Sequence, residues 1–284
     1  MKLASHYAVI TLLSAAWMEA PQPAYAQGND GKLSLSMGVD FSHAYFFRGI
    51  RQEREGVVVQ PYADASFALF EGGEGLTDVT LTIGQWNSLH SGPSGADGPA
   101  ANVAAWYESD FLTGVTLGLE NWEAGVTYTS YLSPNDSLGT VQEVSLALSM
   151  DDSEILNGFA MAPHVALAIE LSGQADRGVS EGAYLEFGVE PGLQILDGWA
   201  SVGFPATLGL SLNNYYEDGA DFDDTFGFFD VGAVARFPLG VPESLGSWEL
   251  TGGVHLLALG NYLEAINDGD QFQVVGSFGF SIWY

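Results

Sequence analysis

Charged side chains recur on one side of a series of alternating segments, and almost all of them are acidic. In segment 33–49, apolar Leu35, Val39 and Phe41 alternate with Ser36 and Asp40. The polar sides of all such segments together carry these candidate residues: Asp40, Asp64, Asp78, Glu108, Asp110, Glu123, Glu143, Glu170, Glu186, Glu190 and Glu249, with Arg48 and Arg236. If these sides face a common interior, that interior attracts cations and repels anions. The two arginines then either form a constriction opposite acids or only neutralise neighbouring carboxylates.

Catalytic groups are harder to assemble from this sequence. A serine hydrolase needs a serine and a histidine within hydrogen-bond reach, with an orienting partner. His90-Ser91 lacks the His-x-Ser spacing of lipid-deacylating enzymes, and Gly92-Pro93-Ser94-Gly95 is not a G-x-S-x-G elbow. A protease site made from Asp and His at an outer rim is a minor alternative. We therefore predict no enzyme and no cofactor.

One loop concentrates carboxylates that suit a hard cation. Asp218, Asp221, Asp223 and Asp224 lie within segment 217–225. Oxygen ligands are those that Ca²⁺ prefers, but the spacing is not that of an EF-hand. The loop is therefore either solvated or a weak divalent-cation site.

The composition excludes several classes of protein. The 284 residues include 36 Asp plus Glu against seven Lys plus Arg, a formal charge of −29, which excludes nucleic-acid binding through phosphate contacts. The absence of cysteine excludes disulfides and thiolate metal sites. Hydrophobic residues are 47% and charged residues 15%, yet the mean hydropathy is only +0.12, so apolar residues are interleaved with polar ones.

The first 26 residues have the pattern of a secretory signal peptide. Lys2 precedes the apolar stretch 8–18, and Ala24-Tyr25-Ala26 matches an A-x-A cleavage signal. We expect residues 1–26 to be removed and residues 27–284 to form the folded domain.

Alternation with a period of two predicts about twelve strands. They cover 33–49, 57–70, 77–87, 104–119, 122–132, 140–150, 164–172, 183–195, 205–216, 226–237, 248–259 and 271–284. Links after the odd-numbered strands are mostly longer and polar, whereas those after the second and fourth are tight. This asymmetry predicts an all-β fold, a transmembrane antiparallel up-and-down β-barrel.

The distribution of lysine and aromatic residues favours a membrane barrel over a soluble sandwich. Lys32 is the only lysine after residue 26, whereas soluble surfaces mix both charge signs. Aromatic residues gather near predicted strand ends at 45–47, 86, 106–107, 128–131, 215–216, 226–229 and 283–284. We expect them to form the two interfacial girdles of such a barrel.

The segment 38–67 resembles the opening motif of the TorF-type putative porin family of Gram-negative outer membranes. Phe47-Arg48-Gly49 and Gln60 match its aromatic–Phe-Arg-Gly run and second-strand glutamine, and Gly84, Trp86 and Asn87 are similar to its third-strand ending. Glu108-Ser109-Asp110 and the spaced Gly125, Tyr128, Tyr131 and Pro134 are similar as well, so the resemblance covers roughly residues 35–150. It implies a passive pore in the bacterial cell outer membrane.

These observations predict a porin-like channel for small, preferably cationic or neutral solutes. The expected partners are outer-membrane lipid and lipopolysaccharide, small solutes and no nucleic acid. The segment 280–284 looks like the C-terminal strand that the barrel-assembly machinery recognises. The alternative is a non-conducting structural or adhesive barrel whose acidic loops bind divalent cations.

Overall fold

The computed structural model describes residues 32–92, 105–153, 155, 160–217 and 223–284. The predicted signal peptide and part of the predicted loop 88–103 lie outside these ranges. The strands are β1 Leu33–Ser42, β2 Tyr45–Phe47, β3 Ile50–Glu53, β4 Val58–Glu71, β5 Asp78–His90, β6 Trp106–Leu119, β7 Trp122–Leu132, β8 Val141–Met150, β9 His164–Ser172, β10 Ala183–Val189, β11 Gly192–Ile195, β12 Ala200–Gly203, β13 Ala206–Asn213, β14 Phe226–Leu239, β15 Ser247–Leu259 and β16 Phe272–Trp283.

The large sheet closes on itself. Its strands pair antiparallel in the order β1, β4, β5, β6, β7, β8, β9, β10, β13, β14, β15 and β16, and β16 pairs with β1 through Val39 opposite Phe280. The short strands β11 and β12 extend the barrel wall beyond β10 and β13, respectively. β11 pairs with β12, and β12 also pairs with β14. The structure is thus the predicted all-β barrel of 12 strands.

The alternation of residue types explains this closure. On β6, Phe111 and Val115 face outward, 49% and 39% exposed, while Asp110 and Leu112 face inward and are buried. Exposed aromatic residues lie near both ends of the strands, among them Phe70, Trp122, Trp199 and Tyr284 at one end and Trp106, Phe226 and Phe272 at the other. An apolar band between aromatic borders is the outer surface of a membrane barrel.

The connections define two ends of the barrel. The loop end carries the links 43–57, 91–105, 133–140, 173–182, 214–225 and 260–271. The turn end carries 72–77, 120–121, 151–163, 196–199 and 240–246. The link 260–271 contains the helix α1, Asn261–Ile266, and the 3-10 turns are Leu196–Gly198 and Glu243–Leu245. No helix within the described ranges is long and apolar enough to cross a membrane.

The first predicted strand is too long. β1 ends at Ser42, whose Oγ donates to the carbonyl of Ala44 at 2.8 Å, and the chain then leaves the barrel wall. β2 and β3 form a separate hairpin whose turn residues, Arg48 and Gly49, have φ of 47° and 80°. Two successive residues with positive φ suit a tight hairpin turn. We call residues 43–57 the plug hairpin.

Two other predicted strands are also corrected. Segment 183–195 breaks between Val189 and Gly192, because Pro191 has no N–H to donate to a strand ladder. The strand predicted for 205–216 starts earlier, at Ala200, and ends at Asn213.

Candidate functional site in the barrel lumen

The plug hairpin fills the loop end of the lumen. All residues from Ala44 to Glu53 are buried. Tyr45 and Phe47 pack in one cluster with Val58, Tyr62, Trp86, Tyr107, Leu112, Tyr131 and Val141. Phe46 and Ile50 pack in a second cluster, which includes Tyr184, Tyr215, Tyr216, Leu259 and Leu263. Several of the aromatic residues predicted to form interfacial girdles are therefore buried, and their predicted place was wrong: Tyr45, Phe46, Phe47, Trp86, Tyr107, Tyr131, Tyr215, Tyr216, Phe228 and Trp283.

Arg48 at the tip of the plug hairpin has a complete set of partners. Its guanidinium donates to both carboxylate oxygens of Glu143, at 2.6 and 2.9 Å, and to the Tyr215 hydroxyl at 2.7 Å. The same group lies 4.3 Å from the ring centroid of Tyr184, 5.2 Å from that of Tyr215 and 5.0 Å from that of Phe47. Burial alone would lower the pKa of Arg48, but the charges of Glu143, Tyr215 and Tyr131 and the hydrogen bond to Glu143 together outweigh it and hold that pKa well above its usual value.

Backbone and loop contacts fix the orientation of the tip. The Tyr216 hydroxyl donates to the carbonyl of Arg48 at 2.9 Å, and the Asn267 amide donates to that of Gly49 at 2.9 Å. Nearer the solvent, Arg51 and Arg54 both contact Asp268, at 3.0 and 2.6 Å. Elements from most of the barrel circumference thus hold one short hairpin.

A polar chain lies beneath the base of the plug hairpin. Ser88 Oγ is 2.8 Å from His90 Nε2, and His90 Nδ1 is 4.0 Å from Glu53. Tyr107 donates to Gln52 beside it, and its ring stacks on His90 at 4.3 Å. Burial raises the pKa of Glu53. Ser88 is fully buried, and these groups anchor the base of the plug hairpin.

Four predicted pore-lining carboxylates contribute to this packing. Glu108 accepts a hydrogen bond from the Tyr45 hydroxyl at 3.0 Å, and Glu143 binds Arg48. Glu170 accepts from the backbone N–H groups of residues 175 and 182 at 2.6 and 2.7 Å. Asp110 is fully buried, and its carboxylate has no hydrogen-bond partner among the described residues.

The other predicted carboxylates follow a different rule, because most of them lie over a glycine of the neighbouring strand. The opposed pairs are Asp40 with Gly279, Asp64 with Gly84, Asp78 and Glu123 with Gly118, and Glu186 with Gly209. A Cβ placed on Gly279, Gly84 or Gly118 would overlap the carboxylate of Asp40, Asp64 or Asp78. Glycine therefore lets these acids lie along the wall, and all five of them keep partial exposure.

Arg236 lies near the turn end, apart from Arg48. It donates to Glu190 at 2.7 Å, and the Glu190 side chain occupies the space where Gly203 would carry a Cβ. Glu249, also near the turn end, is buried. The structure therefore pairs each arginine with an acid but does not bring the two arginines to one constriction.

Several lumen residues did not stand out in the sequence. Asp230 and His255 face inward, 3.1 Å apart and buried, and His164 lies 3.9 Å from Glu186. Alternation alone places Asp230 on the same side of its strand as Arg236, so it could have been found. Glu53 and Tyr215 had no such signal, because they lie outside the barrel strands.

Only two of the four carboxylates predicted for the acidic loop lie within the described residues. Asp218 and Asp221 lie outside the described residues. Asp223 accepts from Ser211 Oγ at 2.6 Å and from the Asn214 N–H at 3.0 Å, and Asp224 accepts from the Tyr262 N–H at 3.1 Å. Across the part of the chain that the structure describes, no group of three or more His, Cys, Asp or Glu is arranged to hold a metal ion.

Comparison with known proteins supports the fold. No protein-family model matches the sequence, and no curated protein does. An outer-membrane channel from Pseudomonas putida F1 has a TM-score of 0.50 at 9% identity, over 93% of this chain and 100% of that chain. The translocator domain of the autotransporter NalP from Neisseria meningitidis has a TM-score of 0.44 at 12% identity, over 91% of this chain and 90% of that chain. The NanC porin has a TM-score of 0.44 at 10% identity, over 88% of this chain and 98% of that chain. At this identity, the likeness to the channel shows the shared barrel fold alone.

Proposed function

We propose that this protein is a porin-like channel of the bacterial outer membrane, related to the TorF-type family, that passes small cationic or neutral solutes. The observation that carries the proposal is the set of carboxylates lying over glycines below the plug hairpin, as with Asp64 over Gly84. This arrangement places negative charge on the wall without filling the lumen. An acid-lined, water-filled passage concentrates cations and repels anions.

The proposed selectivity depends on acids that are not already neutralised within the fold. Glu143 is bound by Arg48, and Glu190 by Arg236. The Glu186 side chain, in contrast, is 20% exposed, accepts a hydrogen bond from the Tyr184 hydroxyl at 2.6 Å and lies 3.9 Å from His164, so its partners do not include an arginine among the residues described. Acids of this second kind are available to hydrated cations, so we assign the selectivity to them.

The plug hairpin sets the expected size of the passage. A barrel of 12 strands is wider than the filled interior of about eight strands and narrower than a porin of about sixteen. With the plug hairpin seated at the loop end, we expect a small conductance that rises when the hairpin is displaced.

A second candidate is a non-conducting structural or adhesive barrel. The complete burial of residues Ala44 to Glu53 favours it, because a permanently seated plug would close the loop end. In this case the acidic loops would bind divalent cations or a surface partner.

Both candidates share the remaining assignments, which are also proposals. The apolar band contacts outer-membrane lipid, the loops contact lipopolysaccharide, β16 is recognised by the barrel-assembly machinery, and the chain has no enzymatic activity.

Single-channel recording in planar bilayers tests the proposal. We expect refolded residues 27–284 to give small discrete current steps in KCl, and the Arg48→Ala variant to give larger ones. A barrel that is inserted, as shown by its resistance to SDS unfolding without heating, but silent in both forms would favour the structural candidate.

A further inference from the structure

We propose that the pocket around Arg48 is a guanidinium-binding site, and that a solute carrying a guanidinium group competes with Arg48 for it and so releases the plug hairpin. This inference rests on the proposed channel function, because it names the class of solute that opens the passage. Arg48 closes the loop end of the lumen. Its own guanidinium group indicates the class of ligand that the pocket binds.

The geometry of the pocket matches a planar, forked cation. Glu143 receives two parallel hydrogen bonds, at 2.6 and 2.9 Å, and Tyr215 receives a third at 2.7 Å. A guanidinium group donates to both oxygens of a carboxylate at once and stacks on aromatic rings, whereas an ammonium group acts as a compact point charge. The centroid of Tyr184 at 4.3 Å supplies such an aromatic face. The pocket should therefore prefer guanidinium compounds to amines of the same charge.

The pocket belongs mainly to the barrel and not to the plug hairpin. Glu143 lies on β8, Tyr184 on β10 and Tyr215 in the link after β13. When Arg48 leaves, these groups stay, and Glu143 becomes a buried carboxylate without its counter-ion. An uncompensated buried charge is strongly unfavourable, so the vacated pocket requires a cation.

Two features lower the cost of displacing Arg48. The φ of Arg48, 47°, lies in the left-handed region, which residues other than glycine seldom adopt. The Arg54 contact to Asp268 is solvent-exposed, with side chains 47% and 51% accessible, and adds little to holding the hairpin. A free guanidinium solute that binds only the vacated pocket shifts the population toward the released state.

The Arg48→Gly variant tests the pocket directly. Glycine tolerates the positive φ of this position, so the turn should persist while the pocket loses its own guanidinium. Methylguanidinium at millimolar concentration should raise the melting temperature of the variant by about 2–4 °C, because a ligand that binds only the folded state stabilises it. Methylammonium is the matched control and should leave the melting temperature unchanged. The double variant Arg48→Gly with Glu143→Gln should respond to neither cation.

Two results of the melting experiment would overturn the inference. In the first, methylguanidinium and methylammonium raise the melting temperature of Arg48→Gly equally. In the second, methylguanidinium still raises the melting temperature of the double variant. If Arg48→Gly does not fold, channel recordings of the wild-type protein test the inference instead. Methylguanidinium should then increase its open-channel fraction several-fold where methylammonium does not, and equal responses would overturn the inference.

The two proposals fail separately. Selective stabilisation of Arg48→Gly in a barrel that never conducts would retain the guanidinium pocket and overturn the channel. Current in the wild-type protein that ignores methylguanidinium, together with no selective stabilisation of the variant, would retain the channel and overturn the pocket.

Discussion

The two ends of the lumen use carboxylates in opposite ways. At the loop end, Glu143 meets the Arg48 guanidinium, Glu108 meets the Tyr45 hydroxyl, and both acids are buried. Toward the turn end, Asp78 and Glu123 lie opposite Gly118 and keep partial exposure. The residue opposite or above an acid thus decides its role. Partners from the plug hairpin make an acid part of the buried packing, whereas a glycine on the neighbouring strand gives an acid room to lie along the wall with partial exposure.

The largest expected effect in this comparison follows removal of the Arg48 guanidinium. Arg48→Ala leaves Glu143 buried without its counter-ion, so we expect the free energy of unfolding to fall by about 3–5 kcal/mol. Urea denaturation followed by tryptophan fluorescence measures it without adding a competing guanidinium. The control is Arg54→Ala, whose exposed contact with Asp268 should cost about 0–1 kcal/mol. Equal losses in both variants would refute a special role for the loop-end pair.

The turn of the plug hairpin gives the next largest effect. Gly49 has φ of +80°, and a Cβ there would lie 2.5 Å from Leu263 Cδ1. Gly49→Ala should therefore lower the free energy of unfolding by about 1–3 kcal/mol and increase the conductance. Gly139→Ala, where a Cβ meets nothing within 4 Å, is the control. An unchanged conductance in Gly49→Ala, despite lower stability, would mean that the plug hairpin does not limit the passage.

A smaller effect tests the rule that acids lie over glycines. A Cβ at Gly84 would overlap the Asp64 carboxylate, so Gly84→Ala should push that side chain into the lumen. We expect the single-channel conductance to decrease and the free energy of unfolding to change by about 1 kcal/mol. Gly252→Ala, which adds a methyl group in open space, should change neither quantity. If the single-channel conductance decreases in neither Gly84→Ala nor Gly252→Ala, Asp64 does not border the ion path.

A separate effect concerns pH at the loop end. Burial raises the pKa of Asp176 to about 6, although its carboxylate accepts from the Gly178 N–H at 2.7 Å and the Glu217 N–H at 2.9 Å. The native state thus holds this proton more tightly than the unfolded chain, whose Asp pKa is near 3.8. Its contribution to stability is fully present below about pH 4 and is lost as the pH rises through about 6.

Paired urea denaturation curves at pH 4.5 and 7 measure this contribution. Asp176→Asn should reduce the difference between the two pH values relative to the wild type. A difference that is unchanged or larger in the variant would contradict the assignment.

Alternation in the sequence predicted the barrel because lipid imposes a strict rule on outward positions, as Phe111 and Val115 on β6 show. The same signal failed after Ser42, because Tyr45 and Phe47 continue the alternation whether they face lipid or pack inside. The role of Glu143 was not predictable either, since its partner Arg48 is 95 residues away in the chain. The turn residues Arg48 and Gly49 were the available signal for a hairpin, and only the glycine is of a type that such a turn favours.

The reversal potential across a KCl gradient tests the central claim most directly. Glu108 and Asp110 were predicted from the sequence to line the pore, but both acids are buried beneath the plug hairpin. We now expect the Glu123→Gln, Glu186→Gln double variant to move the reversal potential most of the way toward zero. Glu108→Gln, Asp110→Asn should move it far less. A reversal potential that is not cation-selective in the wild type, or that changes equally in both double variants, would contradict the account.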